Sequence, residues 1–86
     1  MESYSLRIKR SAAKELGSID SRKGRRLIVE RIRALAVDPR PPGCQKLGGS
    51  DKYRVRQGAH RIVYTIDDER LAVTIVKIGH RKDVYR

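Results

Sequence analysis

Arg54 and Arg56 stand two apart in the run Lys52-Tyr53-Arg54-Val55-Arg56, and Arg61 follows five residues later. In an extended chain successive side chains point to opposite faces, so Lys52, Arg54 and Arg56 share one side and Tyr53 and Val55 the other. Ile62, Tyr64 and Ile66 repeat with the same period of two. Arg61 is out of phase with them and points away from the apolar side of its own segment. A further set, Arg81, Lys82 and Arg86 with Tyr85 among them, lies in residues 81–86. A guanidinium keeps its proton at any physiological pH and donates two parallel hydrogen bonds to a phosphate. Several of them gathered at one place would grip a phosphodiester, and an adjacent Tyr ring offers a base a stacking surface worth about 1–3 kcal/mol.

The elements that must position these residues follow from patterning. Tyr4, Leu6 and Ile8 alternate with Ser5, Arg7 and Lys9, the pattern of a half-buried strand. Ser11 is a candidate N-cap for a short helix through Leu16, with Gly17 as its stop. Asp20 or Ser21 is placed to cap a second helix running to about Ala36. Its residues Ile28, Ile32 and Leu35 form an apolar stripe at i, i+4 and i+7, and Arg22, Arg25, Arg26 and Arg33 occupy the opposite face. Asp38-Pro39 ends this helix, and Pro41, Pro42, Gly43, Gly48 and Gly49 mark a loop. Three strands follow: Lys52 to Gln57, then a tight reversal at Gly58-Ala59, Arg61 to Ile66, an acidic turn at 67–69, and an apolar segment from Leu71 to Ile78. That last segment is apolar at nearly every position, as expected of an interior strand covered on both faces. The order strand, helix, helix, three-strand meander gives an α+β fold. Two helices cover one face of a small, mostly antiparallel sheet, and the basic side chains of the hairpin fall on the other.

Composition bounds the function classes. Eighty-six residues make a single domain, residues 1–86, with a thin core. Lys and Arg number 21 against 10 Asp and Glu, for a formal charge of +11, and 36% of residues are charged against about 25% in typical domains. Self-repulsion of this size opposes the compact state and calls for a polyanionic partner, nucleic acid or an acidic protein. A membrane partner is disfavoured: Phe and Trp are absent, and no apolar run approaches the roughly 18 residues of a span. The opening MESYSLRIKR lacks the apolar stretch of a secretory signal. The single Cys44 fits a reducing, cytoplasmic setting and is expected to be a bystander in its loop. No Cys, His, Asp or Glu residues stand at metal-ligand spacing, so no metal or other cofactor is expected.

Residues 53–86, YRVRQGAHRIVYTIDDERLAVTIVKIGHRKDVYR, resemble the RelE/ParE superfamily of toxins from toxin–antitoxin modules. The family order is present at family spacing: a Tyr-basic-apolar-basic stretch, Gly-x-x-Arg-apolar-apolar-Tyr, an acidic turn, an apolar strand, Gly-x-Arg and a late Tyr. The earlier half matches more loosely. The resemblance is closest to the RelE-type branch, and it implies a metal-independent endoribonuclease that cuts messenger RNA in the ribosomal A site. It implies that Arg56, Arg61 and Arg81 bind and stabilise the reacting phosphate and that Tyr85 stacks on or orients the substrate. Lys52, Arg54, Lys82 and Arg86 would then hold the RNA beside them.

The chain departs from the RelE pattern at one point. Relatives carry Lys at the paired positions now filled by Arg54 and Arg56, and Arg is a poor general base. His80, beside Arg81, is the expected substitute, since imidazole is the side chain suited to exchanging a proton at physiological pH. His60, in the hairpin reversal, is expected to be structural or exposed. The resemblance further implies a cognate antitoxin, expected either over a groove near Ile28, Ile32 and Leu35 or over the basic sheet face. The alternatives are a ParE-type inhibitor of DNA gyrase with the same fold, or a basic protein that binds RNA or antitoxin without catalysis.

Overall fold

The computed structural model describes residues 3–80. The elements in chain order are β1 (Ser5–Ile8), α1 (Arg10–Gly17), α2 (Arg22–Val37), β2 (Gln45–Lys46), β3 (Lys52–Gln57), β4 (His60–Asp67) and β5 (Ala72–His80). They form a five-stranded sheet in the order β1-β5-β4-β3-β2. β1 runs parallel to β5 and every other pairing is antiparallel. The α+β class and the meander are as expected from the sequence.

Helix α2 begins where its cap dictates: the Ser21 hydroxyl accepts from the Gly24 N–H at 3.0 Å. Helix α1 does not begin at a Ser11 cap. It starts at Arg10 behind Lys9, with no side-chain cap, and it includes Gly17. The register of β1 decides this, because the Lys9 N–H still belongs to the sheet and donates to the Ile75 carbonyl at 2.9 Å.

The apolar stripe of α2 packs directly on the sheet. Ile28, Ile32 and Leu35 join Val55, Ile62, Tyr64, Val73, Ile75 and Ile78 in one core cluster. β5 is interior, flanked by β1 and β4, but it is not covered on both faces. Val73, Ile75 and Ile78 are buried toward the helices, while Ala72, Thr74 and Lys77 are part-exposed on the other side. β2, two residues long, was not expected; it pairs Gln45 with Arg54 and Lys46 with Tyr53 at the sheet edge.

Two polar ties fix the loops. The buried Tyr64 hydroxyl donates to the Pro39 carbonyl at 2.6 Å, holding the chain as it leaves α2. Asp68, in the β4–β5 turn, accepts from Tyr4 at 2.7 Å and from both terminal nitrogens of Arg40 at 3.2 and 2.9 Å. Arg40 first, and Tyr4 second, hold the Asp68 carboxyl below its ordinary value.

Candidate nucleic-acid interface

The β3–β4 hairpin presents the basic cluster. Its reversal has Gly58 at φ +61° followed by Ala59 with an ordinary negative φ, the arrangement of a type II′ turn with Gly at the first central position. That two-residue loop fixes the register: Gln57 faces His60, Arg56 faces Arg61, Arg54 faces Val63 and Lys52 faces Thr65. Val55 and Ile62, out of phase with these, are fully buried under the helices. Lys52, Arg54, Arg56 and Arg61 therefore share the sheet face that the helices leave uncovered.

Side chains directly opposite across a ladder have Cβ atoms about 4.5–5.5 Å apart, and like charges there repel. The Arg56–Arg61 pair is such a juxtaposition, and an anion held between the two guanidiniums turns repulsion into attraction. Across β4, Arg61 faces Gly79, which sets no side chain beside it. The Arg54 guanidinium donates from Nη2 to the Gln45 Oε1 on β2. The opposite end of the sheet has the other sign, with a shallow cavity of ≈ 590 Å³ lined by Asp51, Asp67, Asp68 and Glu69 together with Arg7 and Arg70.

His80 does not join the arginines. β5 carries an irregularity beside Val63 and Tyr64, so that Val63 pairs with Lys77 and Tyr64 with Ile75, leaving Val76 as an extra residue. The bulge reverses the parity of everything after it. Lys77 moves to the uncovered side, and Ile78 and His80 turn toward the helices. His80 pairs across the ladder with His60, the rings edge to face at 5.1 Å, and the two line a cleft with Glu15, Ile19 and Ser21. The expected general base is thus on the wrong side of the sheet to serve Arg56 and Arg61. Adjacency to Arg81 in the sequence does not say which face His80 takes.

Two other expectations need restating. Ile28, Ile32 and Leu35 are 1%, 3% and 0% exposed. They are committed to this chain's own core, and these three side chains are not a surface on which the expected antitoxin could rest. Arg81, Lys82, Tyr85 and Arg86 lie outside the described residues. One residue went unnoticed in the sequence. Arg31, on the flank of the α2 stripe, reaches the open edge of β3 and lines a cavity there with Arg54 and Arg56. It also stands close to Tyr64: burial, and then the neighbouring Cys44, push that phenol above its ordinary value, and Arg31 pulls it the other way.

Among the described residues no group of three or more His, Cys, Asp and Glu is placed to hold a metal ion. No helix there is long and apolar enough to cross a membrane.

Comparison with known proteins gives the same picture at the level of the whole chain. The family model described as the ParE toxin of type II toxin–antitoxin systems, parDE, matches residues 6–85. Toxin RelG of Mycobacterium tuberculosis is 29% identical over 86 residues, covering 96% of this chain and 97% of the relative. The archaeal RelE–RelB complex from Pyrococcus horikoshii contains a chain that superposes with a TM-score of 0.84 at 26% identity, covering 95% of this chain and 99% of that one. A chain of the RelBE2 toxin–antitoxin complex from Mycobacterium tuberculosis superposes with a TM-score of 0.80, again at 26% identity, over 96% of this chain and 97% of its own. With a family match spanning nearly its full length and the same two-helix, five-stranded fold, this chain belongs to the RelE/ParE superfamily and is a toxin of the type II toxin–antitoxin class.

Proposed function

We propose that this toxin is an endoribonuclease that cuts messenger RNA in the ribosomal A site. The observation that carries the reading is the Arg56–Arg61 cross-strand pair, with Arg54 beside it, on the sheet face the helices leave uncovered. In the reaction, a ribose 2′-oxygen bonds to the adjacent phosphorus and the bond from phosphorus to the 5′-oxygen breaks. The products are a 2′,3′-cyclic phosphate and a 5′-hydroxyl. Negative charge accumulates on the phosphoryl oxygens as the five-coordinate transition state forms, and preorganised guanidiniums stabilise it there. Arg56 and Arg61 supply that grip, Arg81 reaches the leaving oxygen, and Tyr85 orients the base. Lys52, Arg54, Lys82 and Arg86 hold the flanking backbone.

A guanidinium cannot take the 2′-hydroxyl proton near neutral pH, and His80 faces the helices. Turnover then relies on placement of the reacting groups within the ribosomal complex. The partner that silences the toxin is a cognate antitoxin, as in the RelE–RelB and RelBE2 relatives solved in complex. With the α2 stripe buried, an acidic segment of that antitoxin covers the basic sheet face instead.

The match to the ParE description favours a second reading, in which the chain binds DNA gyrase and cuts nothing. Primer extension on transcripts from cells expressing the toxin separates the two. Codon-phased cuts support the nuclease; arrested growth with intact transcripts and altered plasmid supercoiling supports the gyrase inhibitor.

A further inference from the structure

We infer that Arg31, Arg54 and Arg56 form a second phosphate subsite at the open edge of β3, beside the Arg56–Arg61 pair. The inference rests on the RNA-cutting reading and deepens it by assigning where a neighbouring phosphate of the substrate sits.

β2 is so short that it covers β3 only at Tyr53 and Arg54. Beyond Arg54 the edge of β3 has no strand beside it, and a cavity of ≈ 310 Å³ opens there. Its lining comes from three directions: Arg31 from α2, Gly43 and Gln45 from the chain before β3, and Arg54 and Arg56 from the uncovered face. Gly43 sits at φ +89° and leaves its side of the cavity open, since nothing would lie within 4 Å of a Cβ built there.

The charge arrangement points to an anion. Three guanidiniums border the cavity, and no carboxylate is among the described residues that line it. The Arg31 Nε is shut away from solvent and has no hydrogen-bond acceptor among the described residues. A buried charged donor without an acceptor costs more than a neutral one, and an anion in the adjoining cavity would offset that cost through the guanidinium charge. The Gln45 side chain supplies an acceptor at the lining, and it orients Arg54.

Phosphate suits the cavity better than a protein carboxylate. Three forks offer more donors than the two oxygens of a carboxylate can accept, whereas a phosphodiester brings non-bridging and ester oxygens. The site is also continuous, through Arg56, with the pair proposed to hold the scissile group. An RNA strand crossing the uncovered face at Arg61 and Arg56 would turn round the edge of β3 and seat its next phosphate against Arg31.

The test uses the purified full-length toxin and a short, uncleavable 2′-O-methyl RNA. Binding is followed by fluorescence anisotropy across a salt series for the wild type, Arg31→Gln, Arg31→Lys and the control Arg33→Gln, which alters an exposed residue of the same helix. Thermal unfolding checks that each variant is folded. Arg31→Gln is expected to weaken binding about tenfold and to lower the log–log salt slope by about 0.7, the loss of one phosphate contact on a single strand. Arg31→Lys keeps the charge and loses the fork, and falls between. Arg33→Gln keeps the wild-type slope. In parallel, the ¹H–¹⁵N signal of the Arg31 Nε–H in the wild type is expected to shift on adding the RNA. Wild-type affinity and slope in Arg31→Gln, or an Arg31 signal unmoved by RNA, would overturn the subsite. So would an Arg31 signal that responds to a poly-glutamate peptide and not to RNA, which would assign the cavity to a protein partner. Arg31-dependent RNA binding by a toxin that leaves translated transcripts uncut would uphold the subsite and sink the nuclease reading.

Discussion

Glu15 of α1 takes the place of a missing strand beside Ile78 of β5: its Oε1 accepts from the Ile78 N–H at 2.9 Å, and its Oε2 accepts from the Lys77 ammonium at 2.7 Å. β1 pairs with β5 only from Ala72 to Ile75. Past Ile75 the edge of β5 would be bare, and a side chain from the first helix closes it. The same contact holds the stretch of β5 that carries Gly79 opposite Arg61 and leads to Arg81.

Removing that carboxylate is expected to cost stability in proportion to what it leaves unpaired. Glu15→Ala strips the Ile78 N–H of its acceptor and should lower the unfolding free energy by about 1–3 kcal/mol. Glu15→Gln retains an oxygen for Ile78 and loses only the charge toward Lys77, so its loss should be smaller. Urea unfolding followed by circular dichroism measures both, and equal losses would contradict the division of labour between the two oxygens.

Tyr64 gives a prediction in pH. Its hydroxyl is buried and donates to Pro39, and burial together with Cys44 holds its pKa above the ordinary 10.0. Below pH 10 both folded and unfolded chains keep this proton, and the contribution is intact. Above it the unfolded chain releases the proton while the folded chain retains it. Stability therefore falls with rising pH, with a slope from this one group of up to ~1.4 kcal/mol per pH unit. Tyr64→Phe should lose about 1 kcal/mol at neutral pH, since the hydroxyl and its bond to Pro39 go. It should then decline less steeply than the wild type between pH 10 and higher values. Parallel stability curves for the two proteins would show that Tyr64 does not titrate on unfolding.

The Arg56–Arg61 pair implies a conflict between folding and function. Like charges directly opposite on a ladder are unfavourable, and Thr is a good strand residue. Arg56→Thr should therefore raise the unfolding free energy by about 0.5 kcal/mol at low salt, and the gain should shrink as salt screens the repulsion. Toxicity should fall in the same variant. A protein both less stable and less toxic would mean that Arg56 is structural.

Much of this was legible in the sequence, for reasons particular to each element. The alternation across Lys52 to Gln57 and Arg61 to Ile66 reads directly because period two assigns every side chain a face, and Gly58-Ala59 fixes the register between them. Ser21 reads as a cap because its hydroxyl is where an N–H needs an acceptor. β2 was invisible, since two residues carry no period. The bulge at Val76 was equally hidden: nothing in an apolar run marks the residue that drops out of the ladder, and that single extra residue sent His80 to the opposite face. Arg31 escaped because it lies one turn from Ile28 on the margin of the stripe, where the edge it reaches is set by the shortness of β2.

The most direct test of the central claim is primer extension with end-group analysis on a reporter transcript translated in a cell-free extract, comparing the wild-type toxin with Arg61→Ala. The wild type is expected to produce codon-phased cuts bearing 2′,3′-cyclic phosphates. Arg61→Ala, checked for an unchanged fold, is expected to cut at least about a hundredfold more slowly, as for loss of one preorganised donor to a transition state. Translation arrested by the wild type with every transcript intact, or undiminished cutting by a folded Arg61→Ala variant, would contradict the account.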